Sequence, residues 1–71
     1  MNKTKASPGG KKWTVYGTMG CGWTRKQLEY FNNTKRHYVF INCNEESCDN
    51  IDGFPYIILP DGEISIGYTE F

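Results

Sequence analysis

Between Val15 and Leu28 the hydrophobic period changes from two to about 3.6 across a short break rich in glycine, and this change most constrains the fold. Over residues 12–17, Trp13 and Val15 alternate with Thr14 and Tyr16, the pattern of a strand. Gly17-Thr18-Met19-Gly20 interrupts it. Thr24, Leu28 and Phe31 then fall at i, i+4 and i+7, one face of a helix that starts at or just after Cys21. Arg25, Lys26, Gln27 and Glu29 are good helix formers, and Asn32-Asn33 is the expected stop. Residues 37–42 (HYVFIN) read as a strand buried on both faces. Strand, helix and strand joined this closely predict a right-handed βαβ unit with parallel strands.

Residues 43–52 are acidic and polar, with space for one helical turn at most. A strand is expected over 54–60, with Pro55 near its start. Pro60-Asp61-Gly62 makes a turn, because proline presets φ and glycine supplies a positive one. Residues 55–59 and 63–67 therefore pair as a hairpin. The expected architecture is α/β: a four-stranded mixed sheet, a βαβ unit plus a C-terminal hairpin, with one main helix. Residues 1–12 hold no large apolar residue beyond Met1 and read as a flexible basic tail, leaving 13–71 as the folded domain. So small a domain is marginal, and its 15% aromatic content offsets part of that deficit.

Charge and cysteine usage narrow the function classes. The first twelve residues carry four lysines, whereas from Cys43 onward there are seven acids and no Lys or Arg. The basic residues do not gather in an acid-free surround, so nucleic-acid binding is not expected. No apolar run approaches the ~18 residues of a membrane span. Ser7-Pro8-Gly9-Gly10 follows the first lysines instead of an apolar segment, so no secretory leader is expected. Three cysteines is an odd count for a disulfide scaffold, and the expectation is a monomer in a reducing cytoplasm.

Cys21 stands where the first strand's loop enters the helix. A sulfur there meets unpaired backbone N–H groups and the positive end of the helix dipole, both of which favour the thiolate. Arg25 and Lys26, one turn on, add positive charge and are expected to lower its pKa further. An ordinary thiol is only about 3% ionised at pH 7, against about 90% if its pKa were near 6. Nucleophilicity falls with pKa, so the larger gain is as a leaving group, which suits a sulfur that forms and releases mixed disulfides.

These residues carry a resemblance. The run from Val15 to Lys26, VYGTMGCGWTRK, resembles the first strand and active-site loop of the glutaredoxin branch of the thioredoxin superfamily. Its closest counterpart is the monothiol CGFS signature followed by Arg-Lys, here CGWT with Arg25-Lys26. Gly53-Phe54-Pro55-Tyr56 resembles the segment bearing the family's cis-proline, and residues 61–68 resemble its final hairpin. The stretch from Asn42 to Tyr68 is also similar to the abbreviated thioredoxin-like domain attached to vitamin K epoxide reductase homologues. The resemblance implies a minimal thioredoxin fold and thiol–disulfide exchange with glutathione or disulfide-bearing proteins, without a bound cofactor or metal. It departs from the family at Thr18, where glutaredoxins place a lysine, and at Ile66-Gly67 and Tyr68-Thr69, which replace a double glycine and a Cys-Asp pair. Residues 43–52 are too few for the helix usual there.

By that resemblance Cys21 is the nucleophile, Thr24 takes the place of a second cysteine and can donate to a thiolate, and Pro55 is the cis-proline. Trp23, Phe54, Gly67, Tyr68 and Thr69 are the expected substrate-binding positions, with the backbone of Phe54 turned outward to pair with an extended peptide. Thr24 has an alternative as a first-turn residue facing the core, and Trp23 is expected to be exposed. Cys48, the more accessible of its pair, or Cys43 could resolve a Cys21 mixed disulfide, bond to each other, or have no function. Their spacing with His37 is too sparse for zinc. Two other functions stay open: a non-catalytic interaction module of the same fold, and a glutathione-dependent [2Fe–2S] carrier.

Overall fold

A computed structural model of the chain describes residues 12–71; the expected tail over residues 1–12 lies outside them except for Lys12. The described residues form four strands and one helix, β1 (Trp13–Gly17), α1 (Gly22–Asn33), β2 (Tyr38–Asn42), β3 (Tyr56–Ile58) and β4 (Ile64–Ile66). They form one mixed sheet in the order β2-β1-β3-β4. β1 and β2 run parallel with Val15 opposite Phe40, and β3 is antiparallel to both β1 and β4. The expected α/β architecture, a βαβ unit followed by a hairpin, is the one found. No helix of the described residues is long and apolar enough to cross a membrane.

The period-two pattern of β1 sends Trp13, Val15 and Gly17 to the face covered by α1. Val15, Ile57, Leu28 and Phe31 are the core, bordered by half-buried Trp13, Tyr30, Tyr38, Phe40, Leu59 and Phe71. Phe31 sits at its centre, with ring centroids 5.2 Å from Trp13 and 5.6 Å from Tyr38. Arg36 caps this cluster, its guanidinium 5.2 Å from the Trp13 ring, while Nη2 donates to the Phe71 carbonyl at 2.8 Å.

One expectation is corrected. β2 is not buried on both faces: it is an edge strand, Val39 is 44% exposed, and no helix of the described residues covers the far side of the sheet. The far face instead presents Tyr16 and Tyr56, in an edge-to-face pair at 5.8 Å, with Ile64 and Ile66 exposed beside them. The helix ends at Asn33, as expected, and the residue that turns the chain out of it is Lys35. Lys35 takes a positive φ of 58°, and the Arg36 amide donates to the Phe31 carbonyl at 2.9 Å, closing the last turn. The predicted turn is in place, with Gly62 at φ 96° and its amide donating to the Leu59 carbonyl at 2.8 Å.

Candidate functional site

Cys21 is the N-cap of α1 and the chain's free cysteine, half-buried. The preceding turn is closed by its amide donating to the Thr18 carbonyl at 3.1 Å, and its own carbonyl accepts the first helical bond from Arg25 at 3.2 Å. These two bonds hold the sulfur over the open end of the helix. No acidic residue occupies the first turn, so nothing there offsets the dipole.

The thiol is held below its ordinary value of 9.0. The main cause is the Thr24 amide, followed by the Thr24 hydroxyl; the Trp23 amide and the Arg25 charge add less, and partial burial opposes them. The neutral sulfur makes no capping hydrogen bond. Thr24 Oγ1 is correspondingly the buried side-chain polar atom left without a partner among the described residues. An anionic sulfur, a much stronger acceptor than a thiol, completes these contacts, so the arrangement favours one protonation state over the other. Of the two basic residues expected to add to this effect, Arg25 does so while also donating to the Met19 carbonyl, and Lys26 is not among the causes.

Thr24 is fully buried, so its two readings are one: it faces the core and addresses the sulfur. Trp23 is 57% exposed, as expected, and its ring lies 5.8 Å from that of Tyr68. Trp23, Phe54, Gly67 and Tyr68 together line an open groove of about 360 Å³. Four of the five positions expected to bind substrate thus meet, although they come from α1, the loop before β3 and the segment after β4. A second open depression along the helix, of about 770 Å³, adjoins it at Trp23 and is lined also by Gly22, Arg25, Lys26 and Glu29.

The Phe54–Pro55 bond is cis. Pro55 is buried and its carbonyl accepts the Gly67 amide at 2.8 Å, which ties the two walls of the groove together. Among the described residues the N–H and C=O of Phe54 take no backbone partner. Gly67 has a φ of 96°, a conformation that favours glycine.

Thr69, the fifth position, is placed differently. Its amide donates to Gln27 Oε1 at 2.7 Å and its carbonyl accepts from Gln27 Nε2 at 2.8 Å, so its backbone is spent on holding the chain against α1. Gln27 is fully buried and was missed by sequence reasoning. Its position was readable: it lies on the same stripe as Thr24, Leu28 and Phe31, where a polar residue needs an internal partner.

Cys43 and Cys48 are joined in a disulfide, so of the alternatives open for them the mutual bond is the one present. Cys48 lies with Tyr16, Tyr56 and Ile58 on the sheet face opposite α1, and neither cysteine offers a free thiol to Cys21 in this state. His37 is exposed, and among the described residues no three His, Cys, Asp or Glu side chains gather as a metal site would need. No family model, curated protein or solved structure matches this chain.

Proposed function

We propose that the protein is a thiol–disulfide oxidoreductase of glutaredoxin type on a minimal thioredoxin-like fold, with Cys21 as its nucleophile. The observation that carries this reading is the place of Cys21: a free, half-buried sulfur at the N-cap of α1, near a buried Thr24 hydroxyl that has no partner among the described residues. A sulfur that cycles between thiolate and mixed disulfide gains from that position, because the anion accepts hydrogen bonds that the thiol does not.

The Cys21 thiolate attacks one sulfur of a disulfide, the S–S bond breaks, and the other sulfur departs as a thiolate that takes a proton from water. Cys21 is then in a mixed disulfide. A second thiol, from glutathione or a protein, attacks this bond and returns Cys21 to its thiolate, which the helix N-terminus stabilises as leaving group. Thr24 cannot resolve the intermediate because a hydroxyl is not a redox partner, so the reductant comes from outside this loop. The groove beside Trp23, Phe54, Gly67 and Tyr68 accommodates the substrate's peptide portion, with the free N–H and C=O of Phe54 offering it a strand-like pairing.

The test is turnover of a glutathionylated peptide in the presence of glutathione. Cys21→Ser is expected to abolish it, and the double variant Cys43→Ser/Cys48→Ser is expected to retain it. Full activity in Cys21→Ser removes the reading.

A further inference from the structure

Gly17 ends β1 in ordinary strand geometry; the glycines with positive φ are Gly62 and Gly67. Its lack of a side chain therefore serves space and not backbone freedom. A Cβ built on Gly17 would stand 2.6 Å from Thr24 Oγ1, 2.7 Å from its Cγ2 and 3.2 Å from its Cβ. Neither side has room to yield. Gly17 is held in the sheet opposite Asn42, and its carbonyl accepts the Cys43 amide at 2.8 Å. Thr24 has no exposed surface, and a β-branched side chain in a helix has few rotamers to choose from.

We infer that Gly17 is a positioning residue for Cys21: the empty space above its Cα lets the buried Thr24 side chain lie against β1, where its unpartnered hydroxyl is available to the sulfur at the helix entrance. The inference rests on the proposed redox role of Cys21 and adds the residue that fixes the donor. Because Thr24 is branched and buried, any side chain at the end of β1 displaces the hydroxyl, so glycine at 17 and threonine at 24 are a matched pair. This ties the end of the central strand to the reactivity of a sulfur four residues further on.

A double-mutant cycle on the full chain tests this, read by the pH dependence of Cys21 alkylation with iodoacetamide. Gly17→Ala is expected to raise the midpoint and slow alkylation at pH 6 by about twofold for each half unit of rise, the loss of thiolate being partly offset by the greater nucleophilicity of a more basic sulfur. In a Thr24→Ala background, which removes the two nearest atoms and leaves only Cβ at 3.2 Å, adding Gly17→Ala is expected to shift the titration far less. If Gly17→Ala alone does not fold, recovery of folding in Gly17→Ala/Thr24→Ala supports the same contact. An unfolded double variant overturns the inference, as does an equal slowing by Gly17→Ala in both backgrounds or no change in either. Those results leave the redox reading intact if the unsubstituted protein's midpoint is low; an ordinary midpoint there defeats the redox reading itself.

Discussion

At the scale of single residues the proposed chemistry is concentrated in one sulfur and its immediate surroundings. The Thr24 hydroxyl is the donor that substitution removes with least disturbance, since valine keeps the shape. Thr24→Val should move the ultraviolet thiolate transition of Cys21 upward in pH, because the anion loses an acceptor contact and the thiol loses nothing. The same shift has a sign for stability. A folded-state pKa below that of the unfolded chain means the folded state binds the proton less tightly, so the contribution is complete above the ordinary thiol value and is lost as pH falls through the lowered one. Denaturation midpoints of the native protein should therefore rise with pH across that interval more than those of Cys21→Ser. The position of Cys21 was legible in the sequence, because a break followed by a helical stripe leaves it at the helix entrance. The balance among its stabilisers was not: charges are visible in a sequence, whereas the direction of an amide is set only once the turn is built.

At the scale of elements, α1 is stopped by Lys35 in a left-handed conformation that costs a non-glycine residue free energy. Lys35→Gly should stabilise the domain by about 0.5–1 kcal/mol in chemical denaturation, as the relief at φ 58° outweighs the added freedom of the unfolded chain. Gln27 joins α1 to the segment carrying Tyr68, and its two bonds to Thr69 are buried deeply enough to matter. Gln27→Leu strands the Thr69 amide and carbonyl and should cost about 1–3 kcal/mol, with the Trp23 environment altered in fluorescence because Tyr68 is released. The helix, the parallel pair and the hairpin were readable from periodicity and turn residues. The partners of Gln27 and Thr69 were not, since they lie on opposite sides of the hairpin in sequence and meet only through the tertiary fold.

At the scale of the whole molecule, stability rests on one side of the sheet. Phe31 touches Trp13, Tyr38 and Phe71, and Phe31→Ala should cost about 3–5 kcal/mol, most of what so small a domain possesses. Loss of the cooperative thermal transition is the expected result. The sequence overstated the burial of β2 because an apolar strand reads alike at the centre and at the edge of a sheet, and Val39 lies at the edge. The second half of the site was legible only by resemblance: Trp23, Phe54, Gly67 and Tyr68 share no local pattern, yet they line one groove. With Cys43 and Cys48 bonded to each other, iodoacetamide reads Cys21 alone in the native protein. Its alkylation rate as a function of pH is thus the most direct measurement of the account, which predicts a plateau reached with a midpoint well below that of an ordinary thiol. A midpoint at or above that value would show a sulfur its surroundings do not activate, and would contradict it.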